Sequence, residues 1–175
     1  MKNTFKTLLA LAAALLLICL NLSADEKKDY YELGWELVEN ESLGELKFGR
    51  QLSEVAKLLG EPSETITYGV LWADAEYHQG FKYQEKGIEI DVILGEEDWD
   101  KTINMITITA PCTYKTKKGI GIGSSYEEVV EAYKDYIEPG FSDHTSATAG
   151  TVYGGIIFNL EDNKVNLIFI GAAAE

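Results

Sequence analysis

Histidine and cysteine are scarce in this 175-residue chain, which contains two of each. The two histidines, His78 and His144, have no second histidine and no cysteine at the spacing of a zinc site. The sequence also lacks a serine nucleophile elbow, a phosphate-binding loop followed by lysine, and a metalloprotease helix. We therefore predict a protein that is not an enzyme and that needs no metal ion and no cofactor.

Cys112 is the one cysteine outside the apolar N-terminal segment, and a single cysteine cannot form an internal disulfide. Three fates are open to it: burial as a small hydrophobic residue, pairing with another chain, or reactivity. Together with His144 it forms the one conceivable nucleophile–base pair in the sequence. A thiol-dependent enzyme that uses these two residues is our third functional hypothesis, after two non-enzymatic ones.

Basic residues are about half as frequent as acidic ones, with 15 Lys and Arg against 29 Asp and Glu. The resulting net charge of −14 repels nucleic acid and anionic lipid surfaces, and it favours solubility or a basic partner. The first 24 residues contain two lysines and no acidic residue, so the net charge without them is −16. We expect no nucleic-acid partner.

No apolar run reaches the roughly 20 residues that a membrane-spanning helix needs. The longest, Leu8–Leu20, follows two lysines and precedes a small-residue cleavage site, which is the pattern of a signal peptide. We expect cleavage near Ala24, removal of residues 1–24, and export to the periplasm or the extracellular space. A lipid anchor at Cys19 is the alternative, although the bulky residue before that cysteine disfavours lipid attachment.

One segment of the chain recurs 74 positions later. Residues 46–59 align with residues 120–133, and Gly49, Glu54 and Val55 recur as identical residues. Apolar residues coincide at six aligned pairs of positions: 46/120, 48/122, 52/126, 55/129, 56/130 and 59/133. Strand-like sequence follows each copy, which indicates a duplicated helix-plus-sheet unit.

Two amphipathic helices are the strongest local predictions. Apolar residues recur at helical spacing over 52–59, before a Gly-x-Pro stop, and over 126–137, after a capping box. A short helix is also predicted in the segment 25–43, whereas the polar segment 141–150 is expected to be a loop. Alternating and β-branched runs predict strands at 70–72, 77–83, 88–92, 103–110, 151–160 and 165–170.

These elements predict an α+β fold in which two tandem helix-plus-antiparallel-meander units form one sheet with helices on one face. The predicted organisation is a signal peptide (1–24), a lead-in segment (25–43), a first unit (44–111) and a second unit (112–175). The two units are expected to pack as one domain.

The second half of the sheet is predicted to be apolar on both faces. Parity places Val165, Leu167 and Phe169 on one side of their strand and Ile168 and Ile170 on the other. The outer face then needs a cover, which is another segment of the chain, a second copy of it, or a partner. The residues predicted to bind at this face are His78, Lys82, Tyr153, Ile157 and Ile168.

The pattern Gly49-x4-Glu54-Val55-x3-Leu59-Gly60-x-Pro62 resembles the helix-opening signature of small bacterial envelope proteins. These are the SmpA/OmlA-type outer-membrane assembly lipoproteins and the secreted beta-lactamase-inhibitor-protein group. An uncharacterised exported bacterial family with the same double signature is also compatible. Two units in one chain are similar to the tandem inhibitor arrangement, which implies two joined sheets with a concave protein-binding surface. No binding residue of those families has a counterpart here.

The first functional hypothesis is an exported, non-enzymatic module that binds a protein through the outer face of its sheet. The partner is another protein or a second copy of the chain. The alternative is an envelope assembly or structural factor near the outer membrane, with or without a lipid anchor at Cys19. The sequence names neither the partner nor any small ligand.

Overall fold

The computed structural model describes residues 28–72, 75–94 and 101–174, so the predicted signal peptide lies outside it. In this part of the chain three helices pack on one open antiparallel sheet of seven strands, and the predicted α+β class is confirmed. None of these helices combines the length and the apolar character that crossing a bilayer requires. The helices are α1 (Tyr30–Asn40), α2 (Leu52–Leu59) and α3 (Tyr126–Tyr133). The strands are β1 (Glu64–Leu71), β2 (Tyr77–Tyr83), β3 (Ile88–Ile93), β4 (Thr102–Thr109), β5 (Ser146–Thr151), β6 (Gly154–Glu161) and β7 (Lys164–Gly171).

The helix ends follow from local sequence signals. At the start of α3, Ser125 Oγ accepts a hydrogen bond from the Glu128 N–H at 3.2 Å, and the Glu128 carboxylate accepts one from the Ser125 N–H at 2.6 Å. α2 ends at Gly60, whose φ of 81° is readily adopted by glycine. α3 is one turn shorter than predicted, because Ile137 instead forms a bridge to Ala149 of β5.

The seven strands lie in the order β1-β2-β3-β4-β7-β6-β5. Strands β1 to β4 form one antiparallel meander and β5 to β7 form a second. The two meanders join where β4 pairs with β7. In the chain, α2 comes directly before the first meander and α3 directly before the second.

The strand predictions fail around β5. The predicted loop 141–150 contains most of this strand, and the single predicted strand 151–160 is interrupted by a turn at Val152 and Tyr153. The sequence of β5 is Ser-Ala-Thr-Ala-Gly-Thr, whose small side chains give little apolar alternation. Tertiary pairing forms the strand: β6 lies on one side, and the segment after α3 lies on the other.

The sheet has an inner face, which the helices cover, and an outer face. On the inner face Tyr133 of α3 contacts Phe158 of β6, with ring centroids 5.1 Å apart. Trp35 of α1 lies so close to Gly154 that a Cβ there would be 2.6 Å from the indole nitrogen. Burial of apolar side chains in this layer is the main favourable term in folding. The buried strand residues are Phe81, Tyr83, Ile88, Ile90, Val92, Ile103, Ile106, Ile108, Ala147, Ala149, Ile156, Phe158, Leu160, Val165, Ile168 and Ile170.

Glu41, just after α1, ties the lead-in segment to the second half of the chain. Its buried carboxylate accepts a hydrogen bond from Tyr133 Oη at 2.9 Å and another from the Lys117 N–H at 2.6 Å. Burial, together with the negative charge of Glu41, raises the pKa of Tyr133. The phenol therefore stays protonated and donates at neutral pH. These bonds join α1, the connection between the meanders, and α3.

Candidate functional site

A single row of paired residues crosses the outer face of the sheet and changes character halfway. From β1 to β5 the row reads Glu64, Lys82, Glu89, Thr107, Phe169, Ile157 and Thr148. The residues on the first three strands are charged, and those on β7 and β6 are apolar. We call the outer surface of β1, β2 and β3 the polar half and that of β4, β7 and β6 the apolar half.

The apolar half carries four outward-facing hydrophobic side chains, all partly exposed: Met105, Ile157, Leu167 and Phe169. Their neighbours Ile156 and Ile168 are fully buried on the inner face. The helices contribute side chains to the buried hydrophobic cluster on the inner face of the sheet. None of these four outward-facing side chains belongs to that cluster. An apolar strip that the described residues leave partly exposed on a sheet face is a candidate interaction surface.

The polar half, in contrast, covers its own outer face. His78 Nδ1 lies 2.5 Å from Asp91 Oδ1, and both side chains are buried although they point away from the helices. Trp72 stacks on His78 with ring centroids 4.0 Å apart and an angle of 6° between the planes. Tyr68 packs on Trp72 at 5.0 Å and reaches over Gly80, where a Cβ would lie 2.9 Å from the hydroxyl.

This aromatic cover also changes the ionisation of Tyr68. Burial, followed by the negative charges of Asp91 and Glu89, raises the pKa of its phenol. The hydroxyl, which is neutral at physiological pH even in an unperturbed tyrosine, is still harder to ionise here. Tyr68 and Trp72 act as a neutral aromatic lid over the His78–Asp91 pair.

A shallow groove of about 230 Å³ lies at the end of the polar half next to the apolar half. Lys82 and Glu89 line it together with Thr107 and Thr109 of β4. Lys82 Nζ is 3.7 Å from Glu64 Oε2, and both side chains are partly exposed. An ion pair of this kind contributes little to stability because water and salt screen it.

The five residues predicted to bind occupy different environments. Lys82 and Ile157 lie on the outer face, and His78 lies there beneath Trp72. Tyr153 is in the turn between β5 and β6, with 55% of its surface exposed. The predicted position of Ile168 on the outer face is wrong, because its side chain is fully buried against the helices.

A β-bulge explains the error. Asn159 of β6 pairs with Leu167, but the next residue, Leu160, pairs with Val165, so β7 has one residue more than β6 at this point. Such an insertion reverses the alternation of side chains along the strand. Val165 and Ile168 therefore both face inward, while Leu167 faces outward. Simple parity cannot reveal this reversal.

A second apolar surface, which the sequence analysis missed in part, lies beside the β5–β6 turn. Phe141, Val152 and Tyr153 are all exposed, Phe141 most of all at 69%. With Glu138 and Thr148 they line a cleft of about 220 Å³. The sequence predicts Tyr153 as a binding residue but gives little indication of Phe141. Its only sequence signal is a single aromatic residue in a polar, turn-rich segment.

Cys112 and His144 show no sign of acting together. Burial raises the pKa of the Cys112 thiol, and a hydrogen bond with the backbone of Tyr114 offsets this only in part. His144 packs on Tyr126 at 4.6 Å, and its Nδ1 lies 3.0 Å from Asn163 Oδ1. A buried, protonated thiol is a poor nucleophile. In the described ranges no group of three or more metal-ligating side chains could hold an ion.

No protein-family model, no curated protein and no solved structure matches the chain. The class that the structure itself defines is an α+β protein with one sheet face covered by helices and the other left half open.

Proposed function

We propose that this chain is an exported, non-enzymatic binding module that holds a protein partner on the apolar half of its outer face. The observation that supports this proposal is the strip of partly exposed apolar side chains on β4, β6 and β7. A small molecule fits less well, because the groove next to the strip, at about 230 Å³, is below the roughly 300–1,000 Å³ of typical ligand pockets.

The partner is expected to carry basic residues around an apolar centre. The whole chain has a net charge of −14, and complementary charge accelerates encounter and selects partners. On the face itself, Glu64 and Glu89 belong to the row that leads into the apolar strip. An apolar centre with a charged border is the usual anatomy of a protein–protein interface.

A tandem origin of the two meanders is part of the proposal. Each meander follows one helix, and the equivalent residues Val55 and Val129 of these helices are both fully buried. The meanders meet at β4 and β7 to form one sheet. This arrangement agrees with the joined sheets that the resemblance to the inhibitor group implies.

An envelope assembly factor with a lipid anchor at Cys19 is the second candidate, because that cysteine follows an aliphatic run. The two candidates differ at the mature N-terminus. Mass spectrometry of the exported chain would find a free Asp25 for the first and a lipidated Cys19 for the second.

The binding face is tested by capture from the exported fraction with matched bait variants. Ile157→Lys places a charge in the apolar half, and Ile66→Lys does the same at a partly exposed outer-face isoleucine in the polar half. We expect a protein captured by the unmodified chain to be lost at least tenfold with Ile157→Lys and retained with Ile66→Lys. Equal capture by both variants would contradict the proposal, and circular dichroism checks that both remain folded.

A further inference from the structure

Two clefts meet beside the β5–β6 turn. The first, of about 220 Å³, lies between Phe141, Val152 and Tyr153. The second, of about 360 Å³, is lined by the start of α1, residues 28–31. Glu138 and Thr151 line both clefts, so the two form one surface, which we call the double cleft.

The backbone holds the walls of the double cleft in place. The Gly150 N–H donates to the Tyr136 carbonyl at 2.8 Å, and the Phe141 N–H donates to the Glu138 carbonyl at 3.1 Å. On the opposite wall the Val152 carbonyl accepts hydrogen bonds from two N–H groups of the C-terminal segment, at 2.8 and 3.0 Å. A surface ordered in advance loses less conformational entropy when it binds.

Glu138 gives the double cleft a specific chemistry. Among the described residues it forms no ion pair, whereas Lys28 on the wall of the second cleft is already paired with Asp135 at 3.4 Å. The carboxylate of Glu138 shares its cleft with the exposed rings of Phe141 and Tyr153. A carboxylate next to aromatic rings attracts lysine or arginine by charge and by cation–π interaction.

The size of the first cleft indicates what enters it. It is the part of the double cleft that lies between Phe141, Val152 and Tyr153, and its volume is about 220 Å³. One apolar side chain of a protein segment fits a space of this size. The cleft also borders the apolar half of the outer face, because Thr148, which lines it, pairs with Ile157.

We infer that the double cleft docks a segment of the partner protein in which an apolar side chain stands next to a lysine or arginine. The apolar side chain enters between Phe141, Val152 and Tyr153, and the basic side chain reaches Glu138. This inference rests on the proposed protein-binding function and specifies the chemistry of the partner.

Three capped pentapeptides test the inference, each with a central phenylalanine and flanked on both sides by arginine, alanine or glutamate. They are titrated into the purified, isotope-labelled chain and followed by two-dimensional NMR. We expect saturable shifts of the amides of Phe141, Val152 and Tyr153, with the arginine peptide binding most tightly and the glutamate peptide most weakly. Shifts that do not saturate at these residues, or equal affinity for all three peptides, would overturn the inference.

Substitutions separate the two parts of the double cleft. Glu138→Gln should weaken the arginine peptide about threefold and leave the alanine peptide unchanged. Phe141→Ser and Tyr153→Ser should each weaken both peptides about tenfold. Tyr77→Ser is the matched control, because Tyr77 is 50% exposed at the far side of the sheet and should have no effect. An equal loss with Tyr77→Ser would show that the peptides bind elsewhere.

The peptide titration and the capture experiment fail independently. If a partner is captured through Ile157 but the peptides do not saturate the double cleft, the inference is wrong and the proposed function stands. If the peptides bind as expected but Ile157→Lys does not reduce capture, the docking chemistry stands and the outer face is not the binding surface.

Discussion

The two halves of the outer face belong to one sheet but differ in how far the chain's own side chains cover them. In the polar half Tyr68 and Trp72 fold over the buried pair of His78 and Asp91. In the apolar half the hydrophobic residues remain partly open to solvent. A buried polar pair is stable in the free protein only if side chains of the same chain shield it from water. Apolar side chains can remain partly exposed, and a partner that later covers them adds binding free energy.

Asp91→Ala should show the largest loss of stability, because it removes one member of the buried pair in the polar half. The substitution leaves the buried ring of His78 without the carboxylate that lies 2.5 Å from its Nδ1. Removing one member of a buried pair leaves the other without its bond and costs about 3 kcal/mol or more of unfolding free energy. Urea denaturation measures this loss.

Met105→Ala is the control for Asp91→Ala, because Met105 is the residue that faces Asp91 across the β3–β4 pair and is partly exposed. It should cost about 1 kcal/mol, as expected for losing part of a buried side chain. Equal costs for the two variants would mean that the pair is not sealed in solution.

Ile157→Ala tests the open character of the apolar half. Ile157 is partly exposed on the outer face, whereas its neighbour Ile156 is fully buried on the inner face. The two residues have the same chemistry and the same strand. We expect Ile156→Ala to cost about 3 kcal/mol and Ile157→Ala about 1 kcal/mol, since only the first leaves a cavity in a packed core.

Chemical denaturation of both isoleucine variants would decide whether the outer face is a surface. If Ile157→Ala destabilises the chain as much as Ile156→Ala, another part of the chain covers this half in solution. The proposed binding face would then lose its main support. A low cost at Ile157 combined with loss of partner capture would identify it as an interface residue.

The sequence predicts those parts of the fold that local chemistry determines. The apolar spacing from Leu52 to Leu59, the Gly60 stop and the capping box at Ser125 all predict helices that the structure contains. The alternation in β3 predicts a strand, and residues 88–93 form it, although the outward-facing Asp91 is buried as well as the inward-facing isoleucines. The α+β class follows from these elements.

What the sequence does not predict depends on partners that are distant in the chain. β5 has little apolar alternation, because its inward-facing residues are small, and it forms because β6 lies beside it. The orientation of Ile168 depends on the bulge opposite Leu160, which only the pairing of β6 with β7 reveals. The aromatic lid over His78 likewise needs Trp72, just after β1, to stack on a residue of β2. The sequence therefore predicts only part of the candidate site.

Lys82→Ala should show the smallest loss of stability, although Lys82 lines the groove between the two halves. The pair of Lys82 with Glu64 spans 3.7 Å and is partly exposed, so water and salt screen it and it should contribute less than about 0.5 kcal/mol to stability. Denaturation in low and in high salt would give nearly the same difference from the unmodified chain. Lys134→Ala, which removes a more exposed pair with Glu131 at the end of α3, is the control for full exposure to solvent. A loss near 1 kcal/mol at Lys82 alone would mean that the groove shields this pair from solvent. The part of the outer face that the chain itself covers would then extend as far as β4.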